Sequence, residues 1–270
     1  MKRLAILSSL LMIVSLAFAA PALAAPPTND VYAGREAIAI GDDLTVNTSE
    51  ATSDADDVEM NVCGAPAMDA SVWYELTAAA DGFVGVDVSQ SSYSAGVFVA
   101  TGSPGSFEVV ACGPGAVGFE TVAGGIYAIL AIDDTPDTVN GGTLRIQVAE
   151  IPPPPEISLT VNRTGTFNSR TGSATISGTL TCTGGPVEFS GIDIFVRQAV
   201  GRIFINGFGF IEGFTCDGST ESWSAEVFGD NGIFKGGKAL TVSFAFACGE
   251  FFCGESFDER IVQLKGGGKK

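Results

Sequence analysis

Two groups of carboxylates are the residues of this chain best suited by type and spacing to do chemistry. Asp54, Asp56, Asp57 and Glu59 crowd one stretch, and Asp133, Asp134 and Asp137 crowd another. Hard carboxylate oxygens at near-alternating positions are what Ca²⁺ takes as ligands, so each group is a candidate calcium site. Neither has the EF-hand register: the run from Asp54 to Glu59 lacks the loop glycine and the bidentate Glu twelve positions on. The competing reading is a solvated acidic loop, and it is preferred here. No other cofactor is expected.

Other chemistry is pruned by what the chain lacks. It contains no His, which removes imidazole-based triads, His-ligated zinc and His general bases. No G-x-S-x-G elbow is present, and a Ser–Lys pair has no Lys to draw on between residues 25 and 151. Gly232 to Lys238 fits the phosphate-loop spacing, but Ala239 follows where a Ser or Thr must hold Mg²⁺. That segment reads as a turn between strands. Paired carboxylates on a β-sandwich can hydrolyse glycosidic bonds, but nothing singles out such a pair. A secreted carboxylate hydrolase acting on glycans therefore stands as the alternative to a non-catalytic binding module.

The elements that must position these residues read as strands throughout. In DASVWYELTAAADGFVGVDVS (69–89), Val72, Tyr74 and Leu76 share one face, as do Val84, Val86 and Val88. That period of two predicts strands over Ser71–Thr77 and Phe83–Ser89, joined as a hairpin at Ala78–Gly82. Trp73 and Tyr74 supply the large apolar area that anchors a sandwich core. The stretch from Thr45 to Glu59 reads as an edge strand plus acidic loop, with too few apolar residues for a helix. Further strands are predicted over 93–100, 107–112, 117–122, 126–132 and 143–149. A second series follows over 157–162, 173–182, 192–200, 203–211, 222–227, 239–247 and 258–264. Turn signals every 8–12 residues mean antiparallel sandwich or barrel.

Boundaries follow from composition. Lys2 and Arg3, an apolar run from Leu4 to Ala20 and an A-x-A site ending at Ala24 form a secretory signal over 1–24. Ile151 to Pro155 carries four prolines in a row, which cannot join a ladder, so 151–155 is a spacer. The expected plan is a jelly-roll-like sandwich over 28–150 and an immunoglobulin-like sandwich over 156–264. A disordered tail over 265–270 follows.

The chain carries 31 acidic against 14 basic residues, unevenly divided. Residues 25–151 hold 19 acidic side chains against Arg35 and Arg145, while the rest is nearly balanced. Such a surface speaks against nucleic acid and anionic membranes and keeps an exported protein soluble. Six Cys in an exported chain favour disulfides. Of the connectivities within each half, Cys63–Cys112, Cys182–Cys216 and Cys248–Cys253 are preferred. In the last loop Phe251 and Phe252 are hard to bury and mark a candidate contact patch. Ile203, Ile205, Phe208 and Phe210 are expected in the core. The expected product is a secreted monomer that binds an extracellular protein or a glycan.

Several stretches resemble known families. Asn29-Asp30 with Tyr32 and Ala37, Ser71-Val-Trp-Tyr74 before Gly82, and Ser92-Tyr93 with Thr101-Gly102 are similar in order and spacing to the bacterial pre-peptidase C-terminal domain. Ala123-Gly124 before Ile126, and Gly142 to Val148, extend the likeness to nearly the full domain. The resemblance implies a small β-sandwich appended to exported proteins. After Cys112 this chain has Gly113-Pro114 where that family often has an acidic pair, so no ligand role of that pair is carried over. Gly178 to Cys182, Cys216-Asp-Gly218 before Trp223, and Gly232 to Ala239 resemble an uncharacterised immunoglobulin-like domain family of secreted actinobacterial proteins. That likeness implies a fold and a compartment, and no activity.

Overall fold

The computed structural model describes residues 25–137 and 139–266. The expected signal segment, 1–24, and the end of the expected tail, 267–270, lie outside the described residues. A 3₁₀ turn at Tyr32–Gly34 leads into β1 (Glu36–Ile38), β2 (Asp43–Asn47) and helix α1 (Ala55–Met60). Then come β3 (Asp69–Thr77), β4 (Gly82–Asp87), β5 (Ala95–Thr101), β6 (Glu108–Pro114), β7 (Ala116–Thr121), β8 (Ile126–Asp133) and β9 (Thr143–Glu150). These nine strands form a sandwich of two sheets, ordered β1-β3-β8-β5-β6 and β2-β9-β4-β7.

The strands around Trp73 form as predicted but do not pair with each other. β3 lies between β1 and β8, whereas β4 lies between β7 and β9. Residues 78–81 form an arch from one sheet to the other, and the predicted hairpin does not exist. Period-two alternation says that each strand has one core face; it does not say which strand it bonds. Val72, Tyr74 and Leu76 meet Val84, Val86 and Val88 across the sandwich, in one apolar cluster. The other face of β3 is covered too. Trp73 sits there among Met60, Met68, Phe98, Leu130 and Ile132. Phe107 stacks on the Trp73 ring at 5.6 Å between centroids, and Tyr32 meets it edge-on at 5.2 Å.

The second domain comprises β10 (Glu156–Val161), β11 (Thr164–Phe167), β12 (Ala174–Thr183), β13 (Phe189–Val200), β14 (Ile203–Glu212), β15 (Thr220–Gly229), β16 (Gly237–Cys248) and β17 (Cys253–Gly266). The seven predicted strands are all present. β11 is added, a four-residue strand too short and too Gly/Thr-rich to show alternation. The strands run in one ladder, β10-β12-β11-β17-β16-β13-β14-β15, and a further β12–β15 pairing closes it, so the sandwich is sealed at its edge into a barrel. All pairings are antiparallel except β1–β3 and β11–β17. Lys265 and Gly266 belong to β17, opposite Thr166 and Phe167, so the first part of the expected tail is strand.

All six cysteines are paired, as Cys63–Cys112, Cys182–Cys216 and Cys248–Cys253. Such pairing belongs to an oxidising environment. No helix among the described residues is long and apolar enough to cross a membrane.

Candidate functional site

The first acidic group is built into the fold around a short helix. The expected loop is interrupted by α1, because Asp54 supplies what a six-residue helix most needs at its start. Its side chain accepts from the Asp56 and Asp57 amides, and Asp57 accepts in return from the Asp54 amide at 2.6 Å, a reciprocal capping box. Asp57 is fully buried and also accepts from Ser71 Oγ and Trp73 Nε1, each at 2.8 Å. Burial pushes its carboxyl up to about 6 against these stabilising bonds. Glu59 points elsewhere, accepting from the Gly105 and Phe107 amides. Asp56 alone has no such bond; slight burial and its neighbours Asp54 and Glu59 raise its carboxyl. The four carboxylates therefore diverge, and three of them serve as anchors for backbone amides.

The second group behaves alike. Asp133 is buried at the end of β8 and accepts from the Thr135 and Gly141 amides, both at 3.0 Å. Asp137 turns its own loop by accepting from the Val139 amide. Asp134 is half-buried beside Gly96. Among the described residues no three acidic, Cys or His side chains converge on a point that a metal ion could occupy. The two buried carboxylates, Asp57 and Asp133, are 2 % exposed or less and hold local structure.

Phe251 and Phe252 are half-buried, because the first domain covers them. Phe252 meets Phe83 edge-on, with ring centroids 5.3 Å apart. Phe251 lies over two glycines: a Cβ on Gly118 would fall 2.7 Å from Phe251 Cβ and 2.8 Å from Ile151 Cδ1. A Cβ on Gly85 would likewise lie 2.8 Å from Ile151 Cγ2. Only glycine permits that approach. The expected external patch is thus an internal one, a disulfide-closed loop seated on the first domain's four-stranded sheet.

The exposed aromatic surface is elsewhere: of Ile203, Ile205, Phe208 and Phe210, all expected in the core, Ile205 is buried and the other three are exposed. On β14, Ile205 is buried while Phe204, Phe208 and Phe210 are more than two-fifths exposed. Ile205 and Phe208 have opposite parity on one unbroken strand, so both cannot face inward. Beside Ile205, the interior of the closed barrel takes mostly small groups from these strands: Gly207 and Gly209 from β14, and Ala239, Thr241, Ser243, Ala245 and Ala247 from β16. The large side chains turn outward. Cross-strand register aligns them in rows over four strands. Phe257, Phe244, Asp193 and Phe210 form one; Glu259, Val242, Phe195 and Phe208 the next; Ile261, Leu240, Arg197 and Asn206 a third. Phe195 and Phe208 lie 5.0 Å apart between centroids, and the Arg197 guanidinium sits 4.1 Å over the Phe204 ring. The available signal was Asp193 and Arg197, which flank Phe195 at its own parity and mark that face of β13 as outward.

No protein-family model matches the chain, and no curated protein sequence does. Among solved structures, a β-glucuronidase from Parabacteroides merdae is similar at 11% identity over 73% of this chain and 28% of its own, with a TM-score of 0.27. A putative β-galactosidase from Bacteroides fragilis gives 14% identity over 72% and 32%, TM-score 0.23. A GH2 β-galacturonidase from Eisenbergiella tayi gives 12% over 83% and 43%, TM-score 0.22. The chain thus spans less than half the length of each, and likenesses this low carry no argument about activity.

Proposed function

We propose that the chain is an exported, non-catalytic binding module of two β domains, and that its binding surface is the outward face of β13, β14, β16 and β17. One observation carries this reading: that face presents Phe195, Phe208, Phe210 and Phe257 to solvent on a rigid barrel. Exposed contiguous apolar surface of this kind marks an interaction site in soluble proteins. The first domain, by its order of strands and turns, is read as a pre-peptidase C-terminal-like sandwich that accompanies the binding domain. The secretory signal, the paired cysteines and the acidic surface all suit release into an oxidising extracytoplasmic space.

Capture experiments test it. The chain from residue 25 onward, immobilised, is presented to cell-wall fragments, extracellular proteins and glycans, beside a Phe195→Asp variant. Specific capture that the variant loses is the expected result. Equal capture by both proteins overturns the assignment of the face.

A further inference from the structure

We infer that the partner covering this face is a second copy of the chain, the two barrels packing face to face with β13 antiparallel to β13. The inference rests on the reading of the face as a binding surface and names its occupant. Two observations carry it, the size of the face and the placement of its charges.

Phe195, Phe204, Phe208, Phe210 and Phe257 are each between 43% and 60% exposed, and Ile261 is 53% exposed. With aromatic side chains of about 200 Å² each, and with half-buried Leu240, Val242, Phe244 and Phe246 between them, the apolar face offers roughly 600–800 Å². A stable interface of standard size takes about 800 Å² from each partner. The face is four strands wide and three outward positions long, a shape suited to sheet-on-sheet packing.

The charges are self-complementary. Outward positions along β13 read Asp193, Phe195, Arg197, with opposite charges one step either side of a central ring. A twofold axis lying across the strands, along the row Val242–Phe195–Phe208, reverses the strand direction and leaves each strand opposite its own copy. Asp193 of each copy then faces Arg197 of the other, twice. The same rotation lays Phe257 and Phe244 of one copy on Ile261 and Leu240 of the other, and Phe208 on Phe208. Isologous contacts of this kind close on themselves and leave no free face for growth. Glu259, at the β17 end of the axial row, is the exception: the rotation sets it opposite its own copy, a like-charge contact that the paired Asp193–Arg197 contacts must outweigh.

The test is sedimentation equilibrium of the full exported chain between 1 and 200 µM at physiological salt, with far-ultraviolet circular dichroism and a melting curve on every variant. A concentration-dependent dimer is expected, reduced at least a hundredfold in affinity by Phe195→Asp or Phe208→Glu. Asp193→Arg and Arg197→Asp should each weaken it about tenfold or more, and the double exchange should restore it. A chain that stays monomeric throughout overturns the inference, as does a dimer indifferent to Phe195→Asp. Failure of the double exchange to restore association overturns the register. A monomer whose Phe195→Asp variant still loses capture of another extracellular ligand keeps the binding surface and removes only its proposed occupant.

Discussion

Ser71 Oγ stands between two acceptors, the Thr52 carbonyl at 2.6 Å and the Asp57 carboxylate at 2.8 Å, with one proton to give. Below about pH 6 a protonated Asp57 resolves the conflict by donating to Ser71 Oγ while the hydroxyl donates to Thr52; above it the single Ser71 proton serves one acceptor at a time. This pairing agrees in direction with burial, which pushes the Asp57 carboxyl up to about 6.

The consequence for stability has a definite sign. A carboxyl whose folded value lies above its unfolded value near 4 binds more protons in the native state across that window. Stability therefore falls as pH rises from about 4 to about 6, by up to about 3 kcal/mol from this group. Asn at position 57 does not titrate, so Asp57→Asn should be less stable than wild type at pH 4 and should lose this slope. Denaturant melts at pH 4, 5, 6 and 7 check it. A wild-type stability that rises through this window and an unchanged slope in Asp57→Asn would count against the assignment.

The disulfides should rank by the chain they close. Cys63–Cys112, Cys182–Cys216 and Cys248–Cys253 span separations of 49, 34 and 5 residues. In the chain-entropy model the first stabilises by about 4 kcal/mol and the last by about 2. Double Ser variants of each pair, compared by guanidinium unfolding, should lose stability in that order. Intact-mass analysis of denatured wild type should show no alkylatable thiol.

How far the sequence discloses the fold depends on which question is asked of it. Alternation in Val72, Tyr74 and Leu76, or in Val84, Val86 and Val88, locates strands and their core faces almost residue by residue, since side-chain period is a local property. Pairing is not local, and the arch at 78–81 looks the same as a hairpin turn in sequence. The helix at Asp54 was hidden because its stability comes from a capping box and one buried Met60, neither of which raises the apolar content of the stretch. The aromatic face was hidden for a different reason. Large apolar residues inside is the ordinary rule, and only closure of the barrel limits β16, and β14 beyond Ile205, to small residues at their buried inward positions. The carboxylate groups were visible as residues, but a target such as the Gly105 amide lies 46 residues from Glu59 in sequence.

The two domains should unfold separately yet feel each other. Their apolar clusters share no residue, so fragments 25–151 and 156–266 should each melt cooperatively. The Phe251 and Phe252 contact couples them in the full chain. Truncating Phe251 to Ala removes part of a half-buried ring, a change of about 1 kcal/mol or somewhat more. Gly118→Val places a side chain where Phe251 sits and should separate the transitions further. Calorimetry of the full chain beside the two fragments measures the coupling. Identical melting of the second-domain fragment and the same domain in the full chain would show that the contact contributes nothing.

Calcium and salt should act differently on the first domain. Its net charge of −17 from residues 25–151 is self-repulsive at neutral pH, and added salt screens it as the Debye length falls to about 3 Å at 1 M. Melting temperature should therefore climb gradually with NaCl. Ca²⁺ has no such site-specific role in view: Asp54, Asp57, Glu59, Asp133 and Asp137 already accept from backbone amides, and ligation would trade those bonds for a metal. Millimolar Ca²⁺ at matched ionic strength should add no further shift. The contrary result has a clear signature, since a bound ion at a hundred times its Kd stabilises by about 2.7 kcal/mol. Should such a saturable shift appear, loss of it in Asp56→Asn/Asp57→Asn or in Asp133→Asn/Asp134→Asn would identify the loop responsible and overturn the structural role assigned to its carboxylates.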